Sequence, residues 1–168
     1  MALFGSARDI SMFRHVNKEL IDDIIQTEVD FYKIYLPETK ANIYGEASEN
    51  KSYYIPVRLS SLITREDIVN TTDDLGVDTD QTSTFAFLRD GTLDEIGLVP
   101  EIGDVIGWDE KYWEINGINI NQYLMGRNNL TNKSIGRDFG ANWSYICKTN
   151  LTRRNRLSLE PIRFGGKK

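Results

Sequence analysis

The stretch Glu101–Tyr123, EIGDVIGWDEKYWEINGININQY, leaves little room for anything but a β-hairpin. Pro100 and Gly103 interrupt whatever precedes it, and Val105, Ile106 and Trp108 form a first run. Asp109 and Glu110 supply a polar turn, and Tyr112, Trp113, Ile115, Ile118 and Ile120 carry the return. β-Branched and aromatic residues suit a pleated, half-buried surface, and Gly and Pro mark its bounds. Side chains alternate across a strand, so Trp113 and Ile115 share one face while Tyr112 and Glu114 share the other. One face of this hairpin is apolar and must be covered by the rest of the chain.

The rest is large enough to do so. A chain of 168 residues, 40% of them apolar, fits one globular domain with a genuine core, and a single domain over 1–168 is expected. No apolar run approaches the roughly 20 residues of a membrane span, so no membrane partner is expected. The opening MALFGSARD lacks the basic-then-apolar order of a signal peptide. The one cysteine, Cys147, lies in the apolar run WSYICK and reads as a buried thiol, with no intrachain disulfide possible. Assembly in a reducing cytoplasm follows as the expectation.

The net charge of −5 conceals an asymmetry. Lys148–Lys168 contains seven basic residues and one acid, or +6, which leaves −11 on residues 1–147. A basic tail on an acidic body points to nucleic acid or to an acidic neighbouring subunit.

Taken in order, residues 1–8 read as a flexible arm. Phe13, Val16, Leu20, Ile21, Ile24 and Ile25 recur at helical spacing, which predicts an amphipathic helix running to about Thr27, with Asn17 as a candidate N-cap. That helix is expected to pack on the sheet. Strands are expected over Val29–Leu36, Ser52–Leu59, Thr82–Leu88 and Trp143–Thr149. Pro56 places the second of these at a sheet edge or a bulge. Residues 60–81 read as an acidic loop, with Glu66, Asp67, Asp73, Asp74, Asp78 and Asp80 against Arg65; a loop that long is usually functional. Residues 124–141 read as an Asn/Gly-rich loop and 150–168 as the basic tail. The expected fold is mainly β (α+β): a small β-barrel or sandwich with one amphipathic helix on it and long polar loops.

No constellation for catalysis emerges. His15 is the only histidine, and with Cys147 it gives two of the three or four His/Cys ligands a typical zinc site requires. No nucleophile elbow, Walker loop or dinucleotide fingerprint occurs. The acidic stretch DDLGVDTD lacks the glycine and terminal glutamate of a calcium loop. A non-enzymatic protein with no cofactor and no metal is expected.

Two segments resemble the neck proteins of contractile-tailed, T4-like bacteriophages. The first covers residues 13–47: a helix over Leu20–Thr27, an aromatic strand over Asp30–Tyr35, the turn Leu36–Pro37, and the loop Ile43–Tyr44–Gly45–Glu46. The second is the hairpin: Gly103–Asp104–Val105–Ile106, then Tyr112–Trp113–Glu114–Ile115–Asn116, then Gln122–Tyr123–Leu124 before Gly126. They occur in the family's order and cover about a third of the chain. The acidic stretch Thr64–Asp80 has no counterpart in the pattern.

The resemblance implies a structural virion protein of the head–tail junction, assembled in the host cytoplasm. It would form a ring, a hexamer by analogy, that closes the DNA-filled head below the portal and offers the tail a docking surface. Its partners would be further copies of itself, a portal-bound connector or adaptor and a tail terminator, with packaged DNA passing through the ring. Closed rings need heterologous interfaces. The acidic residues Glu66, Asp67, Asp73, Asp74, Asp78 and Asp80 on one subunit and Arg153, Arg154 and Arg156 on the next are the candidate contact. A tail-completion or terminator protein is the alternative within the structural class. A barrel-type nucleic-acid-binding protein, stacking bases on exposed aromatics, is the alternative outside it.

Overall fold

A computed structural model describes residues 7–35, 51–67, 69–73, 76–89, 96–120, 144–152 and 157–158. Helix α1 (Ala7–Glu19) widens into a π-helical segment, Leu20–Ile25. Strands follow: β1 (Glu28–Tyr32), β2 (Lys51–Ser52), β3 (Val57–Ser60), β4 (Leu62–Arg65), β5 (Val69–Asp73), β6 (Gly76–Asp80), β7 (Thr82–Leu88), β8 (Val105–Trp108), β9 (Lys111–Asn119), β10 (Ser144–Thr152) and β11 (Leu157–Ser158). The protein is mainly β, as its pattern of short apolar strands requires.

Seven strands form one antiparallel sheet in the order β3-β1-β8-β9-β10-β7-β4. Its two outermost strands are consecutive in the chain, separated by Ser61 alone. The run Val57–Arg65 is therefore one bent strand, pairing through its first half with β1 and through its second with β7. Ser61 ties both neighbours: its N–H donates to Thr27 O at 2.9 Å, and its hydroxyl donates to Ala86 O at 3.3 Å. Counting Val57–Arg65 once, the sheet closes as a six-stranded barrel, an arrangement that removes open edges. Pro56 sits just outside β3, at one end of that shared strand, where its missing N–H costs no ladder bond.

The hairpin forms as its sequence requires. Ile106 lies opposite Trp113 and Gly107 opposite Tyr112, and Asp109 and Glu110 both adopt positive φ, 51° and 60°. Left-handed residues at both turn positions match the right-handed twist of the strands. Trp113 and Ile115 are fully buried inside the barrel with Val29, Phe31, Phe85, Phe87, Ile106 and Cys147. The ring of Phe31 meets Phe87 edge-on at 5.8 Å, and Phe85 lies 6.1 Å from Trp113. Between β9 and β10 the register slips by one residue around Asn116, a bulge that increases local twist and helps the sheet curl.

A second cluster covers part of the outer surface. Tyr32 and Val105, directly paired, alternate with the inward Phe31 and Ile106 and pack with Leu157, Tyr53 and Tyr112. The parallel ribbon β2–β11 supplies Leu157 to this cluster.

Several expectations are corrected. Helix α1 starts at Ala7, and Asn17 lies inside it rather than capping it. The helix ends where Gln26 turns left-handed at φ 53°, its N–H donating to Ile21 O and its side-chain amide to Asp23 O. Its apolar stripe does not cover the sheet; Ile21 alone of that stripe is buried. Closure explains this, because a barrel fills its inner face from within and leaves no open face for a helix. Residues 60–81 are not a loop but β4, β5 and β6. Their alternating Val and Thr residues favour strands, and Asp73 and Gly76 bracket a tight connection. The basic tail is structured where it is described: Asn150–Thr152 continue β10 and Leu157–Ser158 form β11. The Asn/Gly-rich segment 124–141, residues 1–6 of the arm, and the resemblance's turn and loop at Leu36–Pro37 and Ile43–Glu46 lie outside the described residues.

Candidate assembly surfaces

The acidic segment builds an arm. Strands β4 and β7 pair with partner numbers summing to one value, and β5 and β6 continue the same ladder with a one-residue shift: Leu62↔Ala86 through Arg65↔Ser83, then Val69↔Asp80 through Asp73↔Gly76. β4–β5 and β6–β7 are thus one long ribbon whose base belongs to the barrel. Its distal part, β5–β6, pairs with no other described strand. Of the predicted contact residues, Glu66 stands at the base, where its carboxylate accepts from the Thr82 hydroxyl and its N–H donates to Thr82 O. Asp67 is exposed beside it. Asp73 ends β5, and Asp78 and Asp80 occupy alternate positions of β6, opposite Thr71 and Val69. Asp74, Arg153, Arg154 and Arg156 lie outside the described residues. The fold puts the described acids on one ribbon.

At the ribbon's base, Arg65 joins arm to hairpin. Its guanidinium lies 4.4 Å above the Trp108 ring and donates to the Asp109 carboxylate at 2.6 Å. Stacking on an indole and a carboxylate contact together use both the face and the edge of the guanidinium.

At the far end of β1 a buried carboxylate organises the entry to the hairpin. Asp104 is fully buried. One oxygen accepts from the Ile34 N–H at 2.9 Å; the other accepts from Glu101 N–H at 2.7 Å and from the Lys33 ammonium at 3.0 Å. Lys33 also donates to Val99 O at 2.9 Å and pairs with Glu101 at 2.8 Å. Gly103, at φ 97°, makes the turn that aims Asp104 inward. The glycine–aspartate of the resemblance is therefore a structural clamp. Nearby, the Tyr53 phenol is buried without a hydrogen-bond partner among the described residues, and its pKa is driven well upward by burial and then by the Glu114 and Asp104 carboxylates. Glu114 is ion-paired with Lys51.

The helix presents an inverted surface. Met12, Phe13, Val16, Leu20, Ile24 and Ile25 are exposed, whereas Arg14, Asn17 and Lys18 are partly shielded and Arg14 and Lys18 are engaged. A second apolar patch surrounds Lys33: Tyr54, Ile55, Val99 and Ile102 are all exposed, and Tyr54 meets Tyr35 edge-on at 4.7 Å. Neither patch is legible in the sequence: amphipathic periodicity locates the helix's apolar face without saying which way it points, and the second patch joins segments distant in the chain.

Among the described residues, chemistry-bearing groups do not converge. His15 is exposed on α1, and Cys147 is buried in the barrel, its thiol pushed up to about 12 by burial and then by the Asp104 charge. Among the described residues no cluster of three or more His, Cys, Asp or Glu is arranged to hold a metal. No helix among the described residues is long and apolar enough to cross a membrane.

No protein-family model matches this chain, and no curated protein matches it in sequence.

Proposed function

We propose that this protein is a non-enzymatic structural protomer of a phage neck, forming a ring that closes a DNA-filled head and receives the tail. The observation that carries this reading is the pairing of a closed barrel with contact surfaces that no described strand pairs with and that stand exposed. The barrel closes its own edges and fills its interior with Phe31, Phe85, Phe87 and Trp113. What remains outside is an acidic ribbon standing on its own ladder and an apolar helix face turned to solvent. Such a molecule is built to be completed by neighbours, and the two resembling segments point to the head–tail junction as the place. The neighbours are further copies, a portal-bound connector and a tail terminator. The acidic ribbon meets the Arg153, Arg154 and Arg156 cluster of the adjacent copy, steering subunits into register.

The nucleic-acid reading is disfavoured by the location of the aromatics. Phe31, Phe85, Phe87 and Trp113 fill the barrel, and Arg65 covers Trp108, so none of these offers a face to a base.

The deciding experiment is the mass of the purified protein in solution, with and without DNA, followed by negative-stain imaging alone and on connector-bearing, filled heads. Rings, or monomers that form rings on those heads, are expected. A monomer that ignores heads but binds DNA, with affinity falling steeply as salt rises, overturns the reading.

A further inference from the structure

The two exposed apolar patches are different surfaces set at the two ends of one strand. The α1 stripe runs into β1 at Glu28, and the second patch begins at Lys33, immediately after Tyr32. Five residues of antiparallel strand separate them, roughly 17 Å at about 3.4 Å per residue. The second patch is continuous: Tyr54 N–H donates to Lys33 O, the Lys33 ammonium reaches Val99 O, and Ile102 precedes Gly103 beside Ile34. Resting on the ring reading above, we propose that copies of this chain join head to tail, the α1 stripe of one copy seating on the Tyr54–Ile55–Ile102 patch of the next.

Three observations select another copy as the occupant. The first is non-identity. The stripe and the patch lie on different elements, so the stripe of one copy can seat on the patch of the next, and repeated head to tail this covers both, once per subunit, round a closed ring. The second is area. Scaled from the ~150–250 Å² that a large side chain buries, each patch exposes on the order of 500 Å² of apolar surface. A standard interface buries about 1,600 Å² and is roughly 60% apolar. The two patches together thus supply about the apolar area that one such contact requires. The third is shape. The stripe follows Phe13, Val16, Leu20 and Ile24 along a helix, a ridge with the usual anchor spacing of helix-in-groove recognition. The other patch is made by two chain segments, Tyr54–Ile55 and Val99–Ile102, tied together through Lys33, whose carbonyl accepts from the Tyr54 N–H and whose ammonium donates to Val99 O.

The test uses two double variants of the full chain, Val16→Glu with Ile24→Glu, and Ile55→Glu with Ile102→Glu. Near-ultraviolet circular dichroism checks that each is folded, with the corresponding Ser pairs as replacements if a Glu pair is not. Mass is read by sedimentation. Wild type is expected to associate. Each variant alone is expected to fall to the 19.3 kDa monomer. An equimolar mixture is expected to stop at a dimer, because each variant retains the patch that the other needs. A mixture that stays monomeric overturns the head-to-tail contact. So does either folded variant assembling as wild type does, an outcome that leaves a ring joined elsewhere. A wild type that stays monomeric in solution also overturns this contact; whether it still forms rings on filled heads then decides the neck reading separately.

Discussion

The Asp104 carboxylate and the Lys33 ammonium meet at 3.0 Å, joining the end of β1 to the start of β8. The pair is asymmetric: the Asp104 side chain has no exposure, and that of Lys33 retains 24%. Asp104 also holds two backbone N–H groups, from Ile34 and Glu101. Asp104→Ala leaves those donors and a partly buried ammonium unsatisfied, and is expected to cost about 3–5 kcal/mol. Lys33→Met leaves the two backbone bonds in place and should cost less. Urea unfolding followed by tryptophan fluorescence measures both; equal losses would mean the amide contacts contribute little.

How much of this was legible beforehand differs by element. The hairpin, the strand Thr82–Leu88 and the buried Cys147 were readable because each is a period-two apolar run bounded by turn residues. The strand expected over Ser52–Leu59, at an edge or with a bulge, instead divides into Lys51–Ser52 and Val57–Ser60 with Pro56 in the break, and its second part is half of the barrel's closing strand. The acidic arm is not legible in charge alone: six acids over residues 60–81 suggest a loop, whereas the interleaved Val69, Thr71, Val77 and Thr79 favour strands. The direction of the helix was not readable at all. Periodicity is a local property, whereas the face that turns inward depends on whether the sheet needs covering, and that depends on a closure made through Ser61 by strands far apart in the chain.

The arm should be separable from the barrel. Because β5–β6 pairs with no other described strand, replacing Val69–Asp80 by a short Asn-Gly turn removes no described barrel ladder. The shortened chain is expected to keep its unfolding free energy within about 0.5 kcal/mol, the range of changes that touch no core feature, while losing ring formation or head attachment. A large fall in the denaturation midpoint would show that the ribbon supports the barrel.

Cys147 sets an upper pH limit to stability. Its thiol ionises near 9.0 in an ordinary setting and only at about 12 in the barrel, because burial, and then Asp104, disfavour the thiolate. The folded pKa is raised, so the unfolded chain releases its proton first as pH rises. This contribution to stability is therefore full below about pH 9 and is lost progressively toward pH 12. Urea midpoints between pH 8 and 11 should fall more steeply for wild type than for Cys147→Ala, and the native thiol should resist alkylation at pH 8 until the chain is unfolded. Parallel pH profiles for the two proteins would remove the assignment.

The turn of the hairpin carries strain that a single substitution relieves. Asp109 and Glu110 both hold positive φ, at 51° and 60°. The first has compensation: Asp tolerates this region, and its carboxylate receives Arg65 at 2.6 Å. Glu110 is exposed, has a Cβ that crowds its own carbonyl in this conformation, and has no recorded hydrogen bond or ion pair among the described residues. Glu110→Gly turns the pair into Asp-Gly, a preferred sequence for this two-residue turn. It is expected to stabilise the protein by about 1 kcal/mol, the size of the left-handed penalty for a residue with a Cβ. Glu110→Val, β-branched at the same φ, should destabilise it. Thermal melts of the two variants against wild type measure the sign directly, and a Gly variant that melts lower would place the turn's energy in contacts of the Glu110 side chain rather than in its backbone.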